Sequence, residues 1–349
     1  MTTWQDFLRT RGASFDGDVV SGFGEASAEL AAARDTAVLC DLGPLAVLAV
    51  TGTDAATFLQ GQLTSDVTAM ADGATQLSAW CSAKGRVVAD FLVRRASSER
   101  FELLLPSSLL PPIEKRLRMY VLRAKVSIAD ASRGTVRLGI GGPAAAACIA
   151  ASIGVTPALQ HSLVIDGGIL ITMRGNRFLL LSRPERAPGL WSTLAERARP
   201  AGYACWEWLT VRAGVPVVTA ATQEAFVPQM LNLDALDAIS FGKGCYTGQE
   251  IVARTQYLGR LKERLALAHV AGACPEPGGR LYASAFGDQP CGTIVNAAAA
   301  PEGGADLLAV AQSAAIAGEA LRLDDGRALA LLRLPYALPA GNERPGRIA

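Results

Sequence analysis

Two successive stretches of the chain show the same order of predicted elements: a strand, a helix, two strands and a second helix. In the first, the apolar run at 45–50 predicts a buried strand, and apolar residues spaced by four and three predict a helix over 111–122. In the second, 168–173 and 177–181 predict a hairpin. This order favours two α+β subdomains with antiparallel sheets.

After residue 259, short apolar segments alternate with turns rich in Gly, Pro and Asp. Such spacing is typical of a small β-barrel. We therefore predict that residues 1–260 form two interleaved α+β subdomains, about 1–130 and 131–260, and that 261–349 form a C-terminal β-barrel. A chain of 349 residues has room for these units, since a domain averages roughly 150 residues.

The charge balance restricts the kinds of partner. The 33 basic and 32 acidic residues leave a net charge of +1. This near-neutral charge argues against electrostatic binding of nucleic acid by the protein surface as a whole. The run at 254–264 is a small basic cluster, and we expect no strong direct binding of nucleic acid. Residues 1–15 lack the apolar segment of a secretory signal, and no apolar run is long enough for a membrane span. We expect a cytoplasmic protein that does not bind membranes.

The number and spacing of the cysteines and histidines argue against several kinds of site. The seven cysteines are scattered and form no CxxC pair, so we expect no disulfide framework. The two histidines, His161 and His269, argue against a Ser-His-Asp triad and against a histidine-rich metal site. We assign no metal ligands.

The stretch most informative about chemistry is FGKGCYTGQEIVARTQYLG at 241–259. Gly242 and Gly244 flank Lys243, so the backbone here can turn tightly or approach a ligand closely. Cys245 is the residue directly after Gly244. A thiolate at this point could attack carbon or sulfur, or ligate a soft metal.

The residues after this cysteine predict a helix start. Thr247 and Glu250 stand three apart before an apolar pair, which predicts a capping box with Thr247 as N-cap and Glu250 at the third helical position. Cys245 would then lie two residues before the N-cap, where the helix dipole and the charge of Lys243 favour the thiolate. Alternatively, Cys245 is a small buried hydrophobe and the capping box is purely structural. The sequence leaves both interpretations open.

Asp90 is the second candidate for chemistry, because it interrupts the apolar strand predicted at 86–94. By alternation, Val88, Asp90 and Leu92 share one face of that strand. A carboxylate among apolar neighbours has either a partner or a function. It could accept hydrogen bonds from the N–H groups of a pterin or act as a base. The alternative is a strand end at which this face meets solvent.

At KGCYTGQE, residues 243–250, the chain resembles the YgfZ family of folate-binding proteins, relatives of the glycine-cleavage T-protein, an aminomethyltransferase. The resemblance extends over 52–67, 81–91, 115–126, 226–233 and 239–254. It implies a ring-like body of three domains, with a central channel that holds tetrahydrofolate or a one-carbon derivative. It also implies a role in making or maintaining iron–sulfur proteins, tRNA-modifying enzymes among them.

The resemblance also implies site residues. In the family the motif cysteine is the functional residue, which corresponds to Cys245. The motif is completed here by Lys243, Gly244, Tyr246, Gly248, Gln249, Glu250 and Arg254. The expected folate-binding residues are Asp66, Trp80, Asp90, Tyr120, Arg212, Gln229 and Asn232.

Two comparisons with T-proteins point in opposite directions. T-proteins carry a catalytic aspartate in the strand that matches 86–92, and by spacing Asp90 occupies that place. They also place a pterin-binding glutamate before an Ala-Gly pair, whereas Arg212 stands before Ala213 and Gly214 here. An arginine cannot accept hydrogen bonds from the pterin. This difference, together with Cys245, favours the YgfZ branch over an aminomethyltransferase.

The leading hypothesis is therefore a tetrahydrofolate-binding accessory protein for the synthesis or repair of iron–sulfur proteins. Its expected partners are folate and the iron–sulfur client proteins. The first alternative is a folate-dependent aminomethyltransferase that uses Asp90, so whether the chain is an enzyme stays open. The second alternative is a scaffold without small-molecule chemistry.

Overall fold

The structure is a computed structural model that describes residues 3–257, 261–318 and 321–339. The N-terminal segment holds two helices and three short strands: α1 (Trp4–Thr10), β1 (Ser14–Asp16), β2 (Val19–Gly22), α2 (Ala26–Asp35) and β3 (Val38–Asp41). The first two strands pair with each other as a hairpin. β3 instead joins a sheet formed by residues much later in the chain.

The first α+β unit contains β4 (Leu45–Thr51), α3 (Ala55–Gln60), β5 (Thr75–Cys81), β6 (Val87–Ser97), β7 (Arg100–Pro106), α4 (Leu110–Arg118) and β8 (Ser127–Asp130). Its antiparallel sheet has the order β5-β6-β7-β4-β8. Side-chain alternation gives the sheet two buried faces. Trp80, Phe91 and Leu103 pack with α3 and α4, while Leu104 packs into the central core of the protein. The strand predicted at 45–50 is confirmed. The helix predicted over 111–122 is present but ends at Arg118.

The second unit repeats this order with β9 (Val136–Gly141), α5 (Ala145–Ile153), β10 (Ser162–Ile165), β11 (Gly168–Met173), β12 (Arg177–Ser182), α6 (Ala187–Ala195) and β13 (Arg199–Ala201). The sheet order is β10-β11-β12-β9-β3-β13, and only the β13–β3 pair is parallel. The predicted hairpin is confirmed. The sequence pattern missed β10, a four-residue edge strand that is recognisable only by its pairing with β11. Because β3 pairs with β9, the two units interleave along the chain.

The described part of the chain after β13 contains α7 (Tyr203–Arg212), α8 (Gln249–Tyr257), β14 (Glu263–Val270), β15 (Arg280–Tyr282), β16 (Gly292–Ala299), β17 (Ala305–Gln312), α9 (Ser313–Gly318), β18 (Arg322–Leu323) and β19 (Leu329–Leu332). Six of these strands form an antiparallel sheet in the order β18-β15-β16-β17-β14-β19. This sheet curls into a half-barrel, so the predicted barrel is open.

Helix α7 joins the second sheet to the C-terminal sheet. It packs on β2, β3 and β9 and also on β16 and β17. Close packing depends on Gly139 in β9, where an added Cβ would lie 2.6 Å from the ring of Trp206. The core around α7 contains buried side chains from all three sheets. Among the helices in the described ranges, none has the length and apolar character needed to cross a membrane.

Candidate functional site

A cavity of about 380 Å³ lies where the three sheets face one another. The first sheet contributes Leu77 and Leu92 to its wall, the second sheet contributes Met173, and β16 contributes Asn296. The lining is mostly apolar, and its charged residues within the described ranges are Asp90, Arg177 and Glu207. An apolar cavity of this size with a few convergent polar groups is typical of a small-molecule site.

Asp90 lies inside β6, opposite Ala79 of β5, with its carboxyl group in this cavity. The Oδ1 atom accepts a hydrogen bond of 2.7 Å from the backbone N–H of Val218. Burial raises the pKa of Asp90 to about 7. Asp90 and Leu92 lie on the same face of β6, as predicted, and both line the cavity. The prediction is wrong for Val88, which packs in the core under α3 and α4. A bulge between β5 and β6 causes this change of face.

The raised pKa of Asp90 predicts how stability depends on pH. The folded protein keeps the proton up to about pH 7, whereas the unfolded chain releases it near 3.8, so stability falls as the pH rises through that range. We expect Asp90→Asn to remove this loss, which amounts to at most about 4 kcal/mol. Urea unfolding at pH 5 and pH 8 covers the upper part of this range, where we expect the wild type to lose about 3 kcal/mol and Asp90→Asn to show no such loss.

Asp66→Asn serves as the control for this experiment. Hydrogen bonds from Thr68 and Ala69 lower the pKa of the Asp66 carboxyl below 3.8, so its ionised form stabilises the fold equally at pH 5 and pH 8, and the variant should keep the wild-type pH dependence between them. Equal pH dependence in wild type and Asp90→Asn would contradict the assignment of a buried, titrating Asp90.

Sequence reasoning missed two charged residues of the cavity, Arg177 and Glu207. Arg177 opens the apolar run RFLLLS, and Glu207 stands between Trp206 and Trp208. Burial raises the pKa of the Glu207 carboxyl and lowers the pKa of Arg177 to about 10. Both residues carry the signal that identified Asp90, a charge in an apolar segment.

Of the residues expected to bind folate, the described cavity wall includes Asp90 and none of the others. Trp80 is buried on the opposite face of the first sheet, with the ring of Tyr120 at 5.9 Å. Gln229 and Asn232 are buried and donate to the carbonyls of Val252 and Leu265, at 2.7 and 3.0 Å. These positions make Trp80, Gln229 and Asn232 part of the framework around the cavity, whereas Tyr120 lies at the surface.

Arg212 and Asp66 also lie away from the cavity. The guanidinium of Arg212 is 3.5 Å from the carboxylate of Asp306, which also accepts a hydrogen bond of 2.9 Å from the indole of Trp208. Asp66 accepts a hydrogen bond of 2.9 Å from Gln60. Arg212 therefore connects α7 to the C-terminal sheet, and Asp66 orders the loop after α3.

Cys245 occupies a second location, the surface loop 241–248, which we call the cysteine loop. All seven cysteines are free, and Cys245 and Cys274 are the two exposed ones. Because Cys245 is exposed, the alternative that it is a small buried hydrophobe is wrong. Within the described ranges, no group of three His, Cys, Asp or Glu side chains is arranged to hold a metal ion.

Lys243 anchors the cysteine loop to the first unit. Its ammonium group donates to the carbonyls of Leu63 and Ser65 at 2.6 and 2.7 Å, and lies 5.2 Å from the ring centroid of Tyr246. Burial lowers the pKa of Lys243 to about 8. The ammonium is thus directed into the protein, where it holds the loop in place beside the sheet.

The predicted capping box is wrong. Helix α8 begins at Gln249, which places Glu250 at the second helical position, and its carboxylate pairs with Arg254 at 2.8 Å. The carbonyl of Gly248 accepts the hydrogen bond from Val252, so Gly248 takes the N-cap position instead of Thr247. Cys245 therefore lies three residues before the N-cap.

A close backbone contact explains this helix start. Gly248 has a φ of +82°, and an added Cβ would lie 2.4 Å from the carbonyl oxygen of Ser82 and 2.9 Å from the Cα of Gly85. The cysteine loop therefore rests on the hairpin turn between β5 and β6. Since Asp90 is the fifth residue after Gly85, about 16 Å of extended chain lies between this contact and the cavity.

Among the described residues of the basic run at 254–264, two arginines form ion pairs with different partners. Arg254 pairs with Glu250, Arg264 pairs with Asp234 at 2.7 Å, and residue 260 lies outside the described residues. The structure instead has a basic surface at the end of α4, which the sequence argument overlooked. Its exposed residues are Lys115, Arg118, Met119, Tyr120, Leu122, Arg123 and Lys125.

Comparison with known proteins agrees with this architecture. The family model described as the GCVT N-terminal domain matches residues 11–161. The solved structure of glycine cleavage system aminomethyltransferase T from Bartonella henselae superposes with a TM-score of 0.76, at 16% sequence identity, over 95% of this chain and 96% of that one. At this identity the likeness establishes the shared fold.

Two relatives are more similar to this chain in sequence than that aminomethyltransferase is. The proteins named tRNA-modifying protein YgfZ from Serratia proteamaculans (strain 568) and from Yersinia pseudotuberculosis serotype O:1b (strain IP 31758) are each 33% identical to this chain over 308 residues. The match covers 86% of this chain and 92% of each relative. The chain therefore belongs to the YgfZ family, within the T-protein fold.

Proposed function

We propose that this protein binds tetrahydrofolate, or a one-carbon derivative, in the central cavity and supports the synthesis or repair of iron–sulfur proteins. Its clients would include tRNA-modifying enzymes, and the thiol of Cys245 would act on them. The observation that carries the proposal is the cavity shared by three sheets, with the carboxyl group of Asp90 in its apolar wall.

The cavity residues fit a folate. A pterin ring presents N–H donors, and the carboxyl groups of Asp90 and Glu207 are acceptors for them. Leu77, Leu92 and Leu104 offer apolar surface to the flat rings. Bound tetrahydrofolate would supply a carrier for one-carbon groups. Arg212 lies outside the cavity, where it pairs with Asp306. The proposed folate site therefore does not depend on a glutamate at position 212.

The exposed thiol fits action on another protein. A client could reach Cys245 without entering the cavity, because the cysteine loop lies on the surface. Lys243 and Gly248 hold the loop against the first unit at two points. We further propose a cytoplasmic location, where thiols stay reduced and free cysteines are common.

Calorimetric titration of the purified protein with tetrahydrofolate under reducing conditions tests the folate site. We expect one-site binding, and we expect Asp90→Ala to weaken it by at least about tenfold, since a hydrogen bond to a charged group contributes about 1.5–3 kcal/mol. Asp66→Ala, which removes a carboxylate outside the cavity, should bind as wild type does. An absence of binding by the wild type would reject both folate functions and leave the scaffold hypothesis.

A second function, folate-dependent aminomethyl transfer, is favoured by one observation. The pKa of Asp90 lies at about 7, which suits a group that exchanges protons near neutral pH. This function predicts that the one-carbon group of an aminomethyl-lipoyl carrier passes to tetrahydrofolate with release of ammonia and the free lipoyl thiol, and that Asp90→Ala abolishes this transfer. No turnover with such a carrier would reject it, while folate binding could still hold.

A further inference from the structure

We propose that Arg177 forms a carboxylate-binding site in the wall of the central cavity, and that the glutamate end of folate occupies it. The inference rests on the proposed folate function. It assigns to Arg177 a specific anionic partner and gives the ligand an orientation.

The guanidinium of Arg177 is held in place by three contacts. Its Nε donates to the carbonyl of Arg174 at 3.0 Å, and its Nη1 donates to the hydroxyl of Thr210 at 2.6 Å. The group also lies over the ring of Trp206, 5.2 Å from the centroid. These contacts join the start of β12 to one face of α7 and fix the plane of the guanidinium.

One nitrogen of this fixed group is unpaired. Arg177 is 1% exposed, and its Nη2 is buried without a hydrogen-bond partner among the described residues. A buried polar N–H without a partner costs about 1–3 kcal/mol, and more when the group is charged. Since Arg177 lines the cavity, a ligand there can supply the missing acceptor.

The missing partner is an anion. Within the described ranges Arg177 forms no ion pair, although its neighbour Arg174 pairs with Asp237 at 2.7 Å. A buried cation is strongly unfavourable unless a negative charge compensates it. Arginine presents its N–H groups in a geometry that suits carboxylates. A carboxylate therefore satisfies both the charge and the open donor.

The position of Arg177 orients the ligand. The main cavity and a smaller recess share Leu77, Leu92, Met173, Arg177 and Val215, so Arg177 stands at their junction. Asp90 and Glu207 line only the main cavity. Folate has N–H donors at its pterin end and carboxylates at its glutamate end. The pterin would thus face the two acids, and the glutamate would extend past Arg177 toward the recess.

The test compares two ligands that differ only in charge at the glutamate end: tetrahydrofolate, and its derivative with both glutamate carboxylates converted to amides. Calorimetry should give at least about tenfold tighter binding of tetrahydrofolate by the wild type. We expect Arg177→Met and Arg177→Gln to lose this preference and to bind the diamide as the wild type does. Arg95→Met, which alters an arginine that pairs with Asp72 and lines neither the cavity nor the recess, should keep the preference.

The outcomes separate the possible explanations. A wild type that binds both ligands equally would overturn the carboxylate site, and so would variants that lose affinity for both ligands alike. Thermal unfolding reveals a variant that fails to fold, and Arg177→Gln, which keeps a polar side chain, then provides the comparison in place of Arg177→Met. Binding of neither ligand by the wild type would reject the folate function itself, and this site with it.

Discussion

Cys245→Ser should abolish support of iron–sulfur client enzymes in a strain whose own copy of the gene is deleted, while the purified variant folds and binds tetrahydrofolate normally. The change replaces one exposed sulfur by oxygen. A surface substitution of this kind changes the free energy of unfolding by less than about 0.5 kcal/mol. A serine hydroxyl, however, does not supply the thiolate that attacks sulfur or binds a soft metal.

Cys274→Ser is the matched control, because Cys274 is the other exposed cysteine. It precedes β15 in the C-terminal unit, far along the chain from the cysteine loop. We expect full client activity from this variant. Client activity of Cys245→Ser equal to wild type would show that the thiol has no role, and the scaffold hypothesis would then lead.

Gly248→Ala should lower both stability and client activity by displacing the cysteine loop. An alanine at a φ of +82° costs about 1–2 kcal/mol. The added Cβ would also lie 2.4 Å from the carbonyl oxygen of Ser82, a backbone atom that cannot rotate away. We expect the free energy of unfolding to fall by roughly 1–3 kcal/mol, measured by urea denaturation.

Gly244→Ala is the control for this prediction. Gly244 lies in the same loop, yet an added Cβ there would meet no atom within 4 Å and the φ is not in the left-handed region. This variant should keep the wild-type stability and client activity. Should both glycine variants behave alike, the contact between Gly248 and the hairpin turn would not be what positions Cys245.

Local sequence patterns identified some residues of the candidate sites but not others. Asp90 and Cys245 stand out because each is unusual among its sequence neighbours, a carboxylate in an apolar strand and a thiol between polar, glycine-flanked residues. Arg177 carried a similar signal at the start of an apolar strand. Its importance comes from Thr210 and Trp206, which are about thirty residues away and reach it only in the folded chain.

Residues that pack in the framework were harder to separate from residues that line the cavity. Trp80 and Leu77 belong to the same strand, and both could contact a ligand on chemical grounds. Strand alternation directs Leu77 into the cavity and Trp80 into the core beneath α4. Which face of that sheet meets the cavity depends on how the three sheets pack together.

The sequence by itself determined the α+β class, most strand and helix positions and the family motif around Cys245, because these follow from local periodicity and from residue types at fixed spacing. Tertiary structure alone decided the pairing of β3 with β9, the position of Gly248 as the N-cap of α8 and the unpaired Nη2 of Arg177. Each of these depends on atoms brought together from distant parts of the chain. Such contacts leave no periodic signal in the sequence, and the pairing and packing of the three sheets create them.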